Sequence, residues 1–465
     1  MHVQVHRRGF LKSAASAGVG WLILGSSRSA RSYQANEKLN VAVVGIGKRG
    51  SWHVSVVPRV GQNLVALCDA DHQQAADVFK QHPAVPKYRD FRKMLDEMDR
   101  QIDALVIATP DHTHGVIAAR AMECGKHVYV EKPIAHDVNE ARTLRRIASE
   151  RRVATQQGNQ GMATDSFRRT VELVREGVIG EIREAHVWYV FGGSGPLKRP
   201  EGSPPLPADL DWDCFLGPAP FRPYHPNYIT GWGAWREFST GCFGGGGSHS
   251  INMAFKGLNL GVLWEGKGQG PIRIETEVSE SCPENFPRWQ TCRFDIPARE
   301  SMPPATIHWY NASEEELQRQ GIWDRLQKIA GRSLEWKDGS WTPRSGTLLV
   351  GSKGVVHTNA HNSVCDLLPK ADFPNASGPP HSLPSVAGHQ QEWVAACKGG
   401  PAPLANFDHS GPAIELMLLG NVASLATQPL EFDPVACKIT NNEEADRVLR
   451  TEHRPGWSLS DGTDV

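Results

Sequence analysis

Two short stretches carry the residue types best suited to chemistry. Glu131-Lys132-Pro133 closes a strand-like run, Gly125 to Val130. A lysine at the carboxyl end of a central strand, beside a glutamate and fixed by a proline, can donate a hydrogen bond to a substrate hydroxyl. It can then stabilise the alkoxide that forms as hydride leaves. Read alone, these residues are an ion pair at a sheet edge, and only a cofactor edge one strand away turns the reading towards catalysis. That edge is offered by the second stretch, Leu39 to Gly50, where Gly45, Gly47 and Gly50 stand at G-x-G-x-x-G spacing. Gly45 permits a tight turn, Gly47 lets a pyrophosphate approach the backbone, and Gly50 lets the next helix pack close to the strand. The amides of that helix start would face phosphates, helped by the helix dipole.

Asp69 follows the glycine loop at close to the spacing of about 20 residues expected for an acidic group that holds the adenosine ribose. Its carboxylate would repel a 2′-phosphate, which favours NAD. Lys48 and Arg49 inside the loop leave NADP open.

The elements that must position these groups are legible as buried runs. Val41 to Val44, Asn63 to Cys68, Asp103 to Thr109 and Gly125 to Val130 are apolar and rich in β-branched residues, as strands of a parallel sheet buried on both faces are. Helical stretches separate them: Ser51 to Arg59, Asp71 to Gln81, Arg92 to Met98 and Asn139 to Ser149. Ligands bind at strand ends in such sheets, so Thr109, Pro110 and His112 are cofactor-edge candidates with Glu131 and Lys132. Capping and surface polarity explain His112 and His114 as readily. Asn159 and Gln160 follow the last strand and could reach a nicotinamide carboxamide.

The chain has 465 residues, enough for two ordinary domains and a tail, and is 40% hydrophobic and 22% charged. A net charge of −1 points away from nucleic acid. Nine scattered cysteines without a C-x-x-C pair disfavour zinc and thioredoxin-like chemistry, and no metal ligand set is assigned. Cys282 and Cys292 could bridge neighbouring strands. At the N-terminus, Arg7-Arg8-Gly9-Phe10-Leu11-Lys12 and the modestly apolar Ala14 to Leu24 resemble a twin-arginine (Tat) export signal over residues 1–35. The stretch is short and Gly/Ala-rich for a membrane span. The expected partners are therefore the Tat machinery and a periplasmic or otherwise exported location.

The order VGIGKRG, CDAD, ATPDHTH, EKP, QGNQGM resembles the Gfo/Idh/MocA (glucose–fructose oxidoreductase / inositol dehydrogenase) oxidoreductases, in the exported form found in planctomycetes. The likeness continues through GVIGEIREAHVW, LDWDCFLGPAP and the C-terminal EWVAACKGG and GNVASLA. It implies an α/β chain: a Rossmann domain over 36–158, then an α/β domain over 159–465 built on a large open, mostly antiparallel sheet. It also implies a sugar or cyclitol substrate and a homo-oligomer. Strand-like runs at Glu184 to Phe191, Pro271 to Val278, Trp289 to Ile296 and Ala305 to Tyr310 agree with that sheet.

The resemblance further assigns His249 as the group that takes the hydroxyl proton, and places Trp235 and Arg236 with Lys132 and His249 at the substrate. In the family an Asp stands four residues before the His, on the same helical face. Here that position is Gly245, within Gly244-Gly245-Gly246-Gly247, and Asn252 lies just beyond His249. Four glycines weaken a helix, so a flexible turn is expected before a helix from Ser250 to Leu260. Glu237, Asp211 or His225 could replace the missing Asp. The reading is a dehydrogenase acting on CH–OH. A glycoside hydrolase or lyase working by transient sugar oxidation, and a binding protein without turnover, remain as alternatives.

Overall fold

A computed structural model describes residues 38–336, 342–374 and 378–459. The twin-arginine stretch lies outside the described residues. The first sheet is parallel, with β1 (Asn40–Val44), β2 (Asn63–Cys68), β3 (Lys87–Tyr88), β4 (Ala104–Ile107), β5 (His127–Val130) and β6 (Thr155–Gln157) in the order β3-β2-β1-β4-β5-β6. Order reverses at β1/β4, so the crevice at a topological switch point opens beside the glycine loop. The strands are apolar on both faces because helices cover both, among them Lys48–Arg59, Asp111–Glu123 and Val138–Arg151.

The second sheet has nine strands: β7 (Ile182–Val190), β8 (Ile272–Val278), β9 (Gln290–Ile296), β10 (Ala305–Ala312), β11 (Gly346–Gly351), β12 (Val355–Asn359), β13 (Cys365–Leu368), β14 (Leu430–Asp433) and β15 (Lys438–Ile439). Their order is β13-β12-β11-β7-β10-β9-β8-β14-β15, and only the β7–β10 pair is parallel. The expected α/β architecture of a Rossmann sheet and a large, mostly antiparallel sheet is what forms.

One helix ties the two sheets together. Phe407–Ala423 is buried on nearly every side, as a helix that is apolar all round must be. Its Glu415, fully buried, is held by a fork of Arg142 at 2.9 and 2.7 Å and by the Trp264 indole at 2.7 Å. Phe407 donates its amide to Thr155 Oγ1 at 3.0 Å, which fastens the helix start to β6. Among the described residues no helix is long and apolar enough to cross a membrane. All nine cysteines are free. Cys292 sits in β9 opposite Thr276 and Trp309, so the suggested Cys282–Cys292 bridge does not form.

Candidate functional site

The glycine loop is built as its spacing implies. Gly45 has φ +76°, a conformation that L side chains rarely adopt, and a Cβ there would lie 2.7 Å from the Ala108 backbone. A Cβ on Gly50 would lie 1.7 Å from the Gly45 carbonyl oxygen. Gly47 has an ordinary extended backbone, and a Cβ would meet only the Gln74 side chain, at 2.9 Å. Its lack of a side chain lets Gln74 pack beside the loop and leaves the Gly47 backbone bare where it lines the cleft. The helix that starts here has no side-chain cap and no acidic residue in its first turn, which is the state of a helix N-terminus that can receive phosphate.

A cleft of about 300 Å³ runs along these strand ends. Gly45, Gly47, Lys48, Arg49, Asp69, Thr109, Pro110, Glu131 and Lys132 all line it. Asp69 ends β2 and accepts from the Ile46 and Gly47 amides on one oxygen (2.8 and 3.3 Å) and from the Asp71 amide on the other (2.9 Å). It thus shapes the loop as well as facing the cleft. A carboxylate has about four acceptor sites, so capacity for a ribose hydroxyl remains. Burial pushes its carboxyl upward, and the amides work against that rise.

Glu131 is buried at the end of β5. It takes a hydrogen bond from Arg49 Nε at 2.8 Å and lies 2.7 Å from His53 Nε2. Burial opposes its charge, but His53 and Arg49 prevail and hold the carboxyl well below the usual range. The next turn is pinned by His114, whose ring nitrogens lie 2.6 Å from the Pro133 carbonyl and 2.8 Å from the Thr109 carbonyl. Lys132, joined to Pro133 by a cis peptide, is thereby fixed between two strand ends.

His249 is buried, and its Nδ1 meets no hydrogen-bond partner among the described residues. It does not line the cleft, but lies within electrostatic reach of Lys132. Burial, then His361, then Lys132 push its basicity well below the ordinary imidazole value. The ring beside it is His361, with centroids 4.6 Å apart.

The glycine run is helical rather than a loose turn: Gly241–Gly245 and Gly247–Ser250 are short helices meeting at Gly246. Two of the four glycines are demanded by packing, and a third is crowded by a movable side chain. A Cβ on Gly244 would meet Thr240 at 2.0 Å, on Gly246 the Tyr189 ring at 2.6 Å, and on Gly247 the Met417 methyl at 2.5 Å. A Cβ on Gly245 would meet nothing within 4 Å. The segment is anchored to the first sheet by buried Asp111, whose Oδ2 accepts from the Thr240 amide at 2.9 Å and from the Thr240 hydroxyl at 2.6 Å.

Several expected site residues lie elsewhere. His112 is packed against Phe215 and Phe238, between the Phe215 carbonyl at 2.9 Å and the Phe238 carbonyl at 3.3 Å. It joins loop to helix and does not line the cleft. Gln160 donates to Tyr129 Oη at 3.1 Å, and Asn159 turns onto Gln157 Oε1 at 3.3 Å, with its own Oδ1 buried and unpartnered. Neither lines the cleft. Trp235 is buried against Tyr228, with ring centroids 5.3 Å apart. Arg236 donates to the Cys282 and Asn285 carbonyls at 2.8 and 2.6 Å and to Ser424 Oγ at 2.8 Å, so it fastens loops together.

The candidate substitutes for the missing Asp are also engaged away from His249. Glu237 pairs with Arg222, while Asp211 and His225 cap short helices. Asn252 bridges the Ser248 and His249 carbonyls to the His409 ring.

The long Pro-rich loop from Gly192 to Pro226, which the sequence marks as a wall of the substrate site, supplies part of a cover over the cleft. Residues 209–211 pair with the chain just after Asp69, through His72 to the Asp209 carbonyl (2.9 Å) and Asp211 to the Ala70 carbonyl (2.8 Å). Phe215 of this loop, and Ile229 and Trp232 just beyond it, then line the cleft, with Trp457 from the C-terminal tail. Trp457 is buried under Arg92, whose guanidinium lies 4.1 Å from the ring centre. The long Pro-rich loop was a visible signal. The tail after Thr451, with Arg454 and Trp457, is expected from the sequence to pack back onto the body, but its place at the cleft and that of His361 beside His249 had no signal.

Residues 39–159 match a family described as oxidoreductase family, NAD-binding Rossmann fold (GFO_IDH_MocA). A glycosyl hydrolase family 109 protein of Shewanella baltica is 31% identical over 222 residues, 41% of this chain and 47% of its own length. The chain thus spans about half the length of the curated relatives it matches. Two solved structures share the fold over 85% of this chain, each at 15% identity. The WlbA dehydrogenase of Bordetella pertussis, in complex with NADH and UDP-GlcNAcA, has a TM-score of 0.55 and 99% of its length covered. An inositol dehydrogenase homologue of Azotobacter vinelandii, with NADH and myo-inositol, has a TM-score of 0.53 and 98% covered.

Proposed function

We propose that this chain, whose residues 39–159 form a Gfo/Idh/MocA NAD-binding Rossmann domain, is an oxidoreductase acting on a carbinol carbon of a sugar, sugar derivative or cyclitol. The observation that supports the reading is Lys132, which lines the cleft just past the end of β5, within electrostatic reach of a buried His249 whose Nδ1 has no hydrogen-bond partner among the described residues. The cleft residues fit a dinucleotide: an uncapped helix start, the bare backbone of Gly47, and Asp69, whose charge favours NAD over NADP.

Bound nicotinamide would supply the acceptor or donor of hydride. Lys132 donates a hydrogen bond to the substrate oxygen and stabilises the negative charge that grows there. His249 receives the hydroxyl proton at Nδ1; burial keeps the ring neutral but also weakens it as a base, so the proton moves to it only as negative charge grows beside it. Glu131, tied to Arg49 and His53, holds the strand end that presents Lys132, and the 209–232 loop with Trp457 covers the cleft.

A second reading is supported by the glycosyl hydrolase relatives and by Gly245 standing where the family Asp would be. In it, the same hydride step oxidises a sugar only transiently, a glycosidic substituent leaves, and no net NADH accumulates. We also propose export through the Arg7-Arg8 signal.

The test is to purify the protein with its export signal, denature it, and identify the released nucleotide by mass spectrometry after exposure to a panel of sugars, cyclitols and glycosides. Bound NAD(H) that changes redox state with one substrate in wild type, and stays unchanged in Lys132→Ala, supports the dehydrogenase. Glycoside cleavage without net redox change supports the second reading. Absence of any bound nucleotide overturns both.

A further inference from the structure

On the opposite face of the second sheet, three ligating side chains converge. Ala185, Val187, Ile307 and Trp309 point into the main core shared with the helices of the His249 segment. Strand alternation puts Glu184, His186, His308 and Tyr310 on the other face. The β7–β10 register sets His308 directly across from His186. Glu184 Oε1 then lies 3.1 Å from His186 Nε2 and 3.3 Å from His308 Nε2.

The arrangement is not a settled hydrogen-bond network. The His186 side chain is fully buried, yet its Nε2 makes no hydrogen bond, although the carboxylate is near. Its Nδ1 is engaged, 3.0 Å from Tyr310 Oη, and Arg325 donates to that same oxygen. A hydrogen bond to the outer nitrogen fixes ring orientation and leaves the inner one to a ligand, as in metal-binding histidines. Burial, then His308 and Arg325, push His186 down to about 3, and burial lowers His308. Both rings are therefore neutral near pH 7, with lone pairs to offer.

We propose that Glu184, His186 and His308 bind one divalent transition-metal ion, zinc by preference. Bonds of about 2.0–2.1 Å in tetrahedral geometry place ligand atoms about 3.3 Å apart, which matches both carboxylate–imidazole separations. Two imidazoles and one carboxylate suit zinc and leave a coordination position open. Of the three, His308 also lines a groove of about 810 Å³, together with Tyr310, Arg293, Arg325 and Glu275. The two imidazoles lie nearly parallel, 12° apart. Closure on an ion therefore turns the partly exposed His308 about its Cβ–Cγ bond, while Tyr310 keeps His186 in place. The site is separated from Lys132 by the sheet, so it stands or falls independently of the proposed hydride transfer.

The experiment uses the full chain, stripped with a chelator and titrated with zinc chloride by calorimetry, with cobalt(II) absorption as a second readout. The variants are Glu184→Gln and His308→Gln, both at partly exposed positions, with circular dichroism checking that each is folded. One zinc ion per chain is expected, with affinity falling at least about tenfold in each variant. Cobalt bands in the visible should appear in wild type and weaken in both variants. No saturable zinc binding by wild type overturns the proposal. So does binding that neither variant changes, which would assign the ion to other groups such as Asp137, Glu140 and His453.

Discussion

A methyl group added at Gly246 tests whether the glycine run is a packed helix that seats His249. The backbone there is already helical, φ −86° and ψ −42°, so alanine brings no torsional strain. Its Cβ would lie 2.6 to 2.7 Å from three atoms of the Tyr189 ring, where carbon contacts prefer about 3.5–4.0 Å. Overpacking costs about 1–3 kcal/mol, and simultaneous contact with three ring atoms places this case near about 3. Alanine returns about 1 kcal/mol of helix propensity, so the expected net loss is about 2 kcal/mol. The control is the neighbouring residue. Gly245→Ala meets no atom within 4 Å, so it keeps the propensity gain of up to about 1 kcal/mol. Thermal unfolding of the two variants beside wild type should therefore move in opposite directions, by about 2–4 °C for each kcal/mol in domains of about 150–250 residues. If Gly246→Ala is as stable as wild type, or Gly245→Ala is equally damaged, the packed-helix argument is wrong.

Three further outcomes are expected. Asp69→Ala leaves the Ile46 and Gly47 amides without their acceptor, which costs about 1–3 kcal/mol; equilibrium unfolding should show it, and titration should show weakened NAD binding. Trp457→Ala removes a buried indole from the cleft cover, at about 3–5 kcal/mol, and stopped-flow displacement should show faster nucleotide release; an unchanged release rate would remove the tail from the site. His453 lies 3.1 Å from buried Glu140, and although burial opposes its charge, Glu140 and Asp137 raise its pKa above 6.5. A raised histidine contributes stability that is fully present below the unfolded value of 6.5 and is lost as pH rises through the folded value. Wild type should therefore lose melting temperature over that interval while His453→Gln stays flatter, and parallel profiles would refute the assignment.

The sequence by itself determined the first sheet and most of its cleft. Short, β-branched apolar runs fit strands buried on both faces, and the positive φ of Gly45 and the contact of Gly50 with the Gly45 carbonyl are constraints within one turn. Those signals are local, so Gly45, Asp69, Thr109 and Lys132 fall where their strand ends place them. Helix propensity misread the glycine run, because the Tyr189 ring and the Met417 methyl, remote in sequence, pack against Gly246 and Gly247. Tertiary structure alone turned His112, Trp235 and Arg236 into fasteners. It brought His361 beside His249, laid Trp457 over the cleft, and set His308 across from His186. Each of these depends on strand register or on a loop's return path. Such contacts join residues that are distant along the chain, and no local period in the sequence records them.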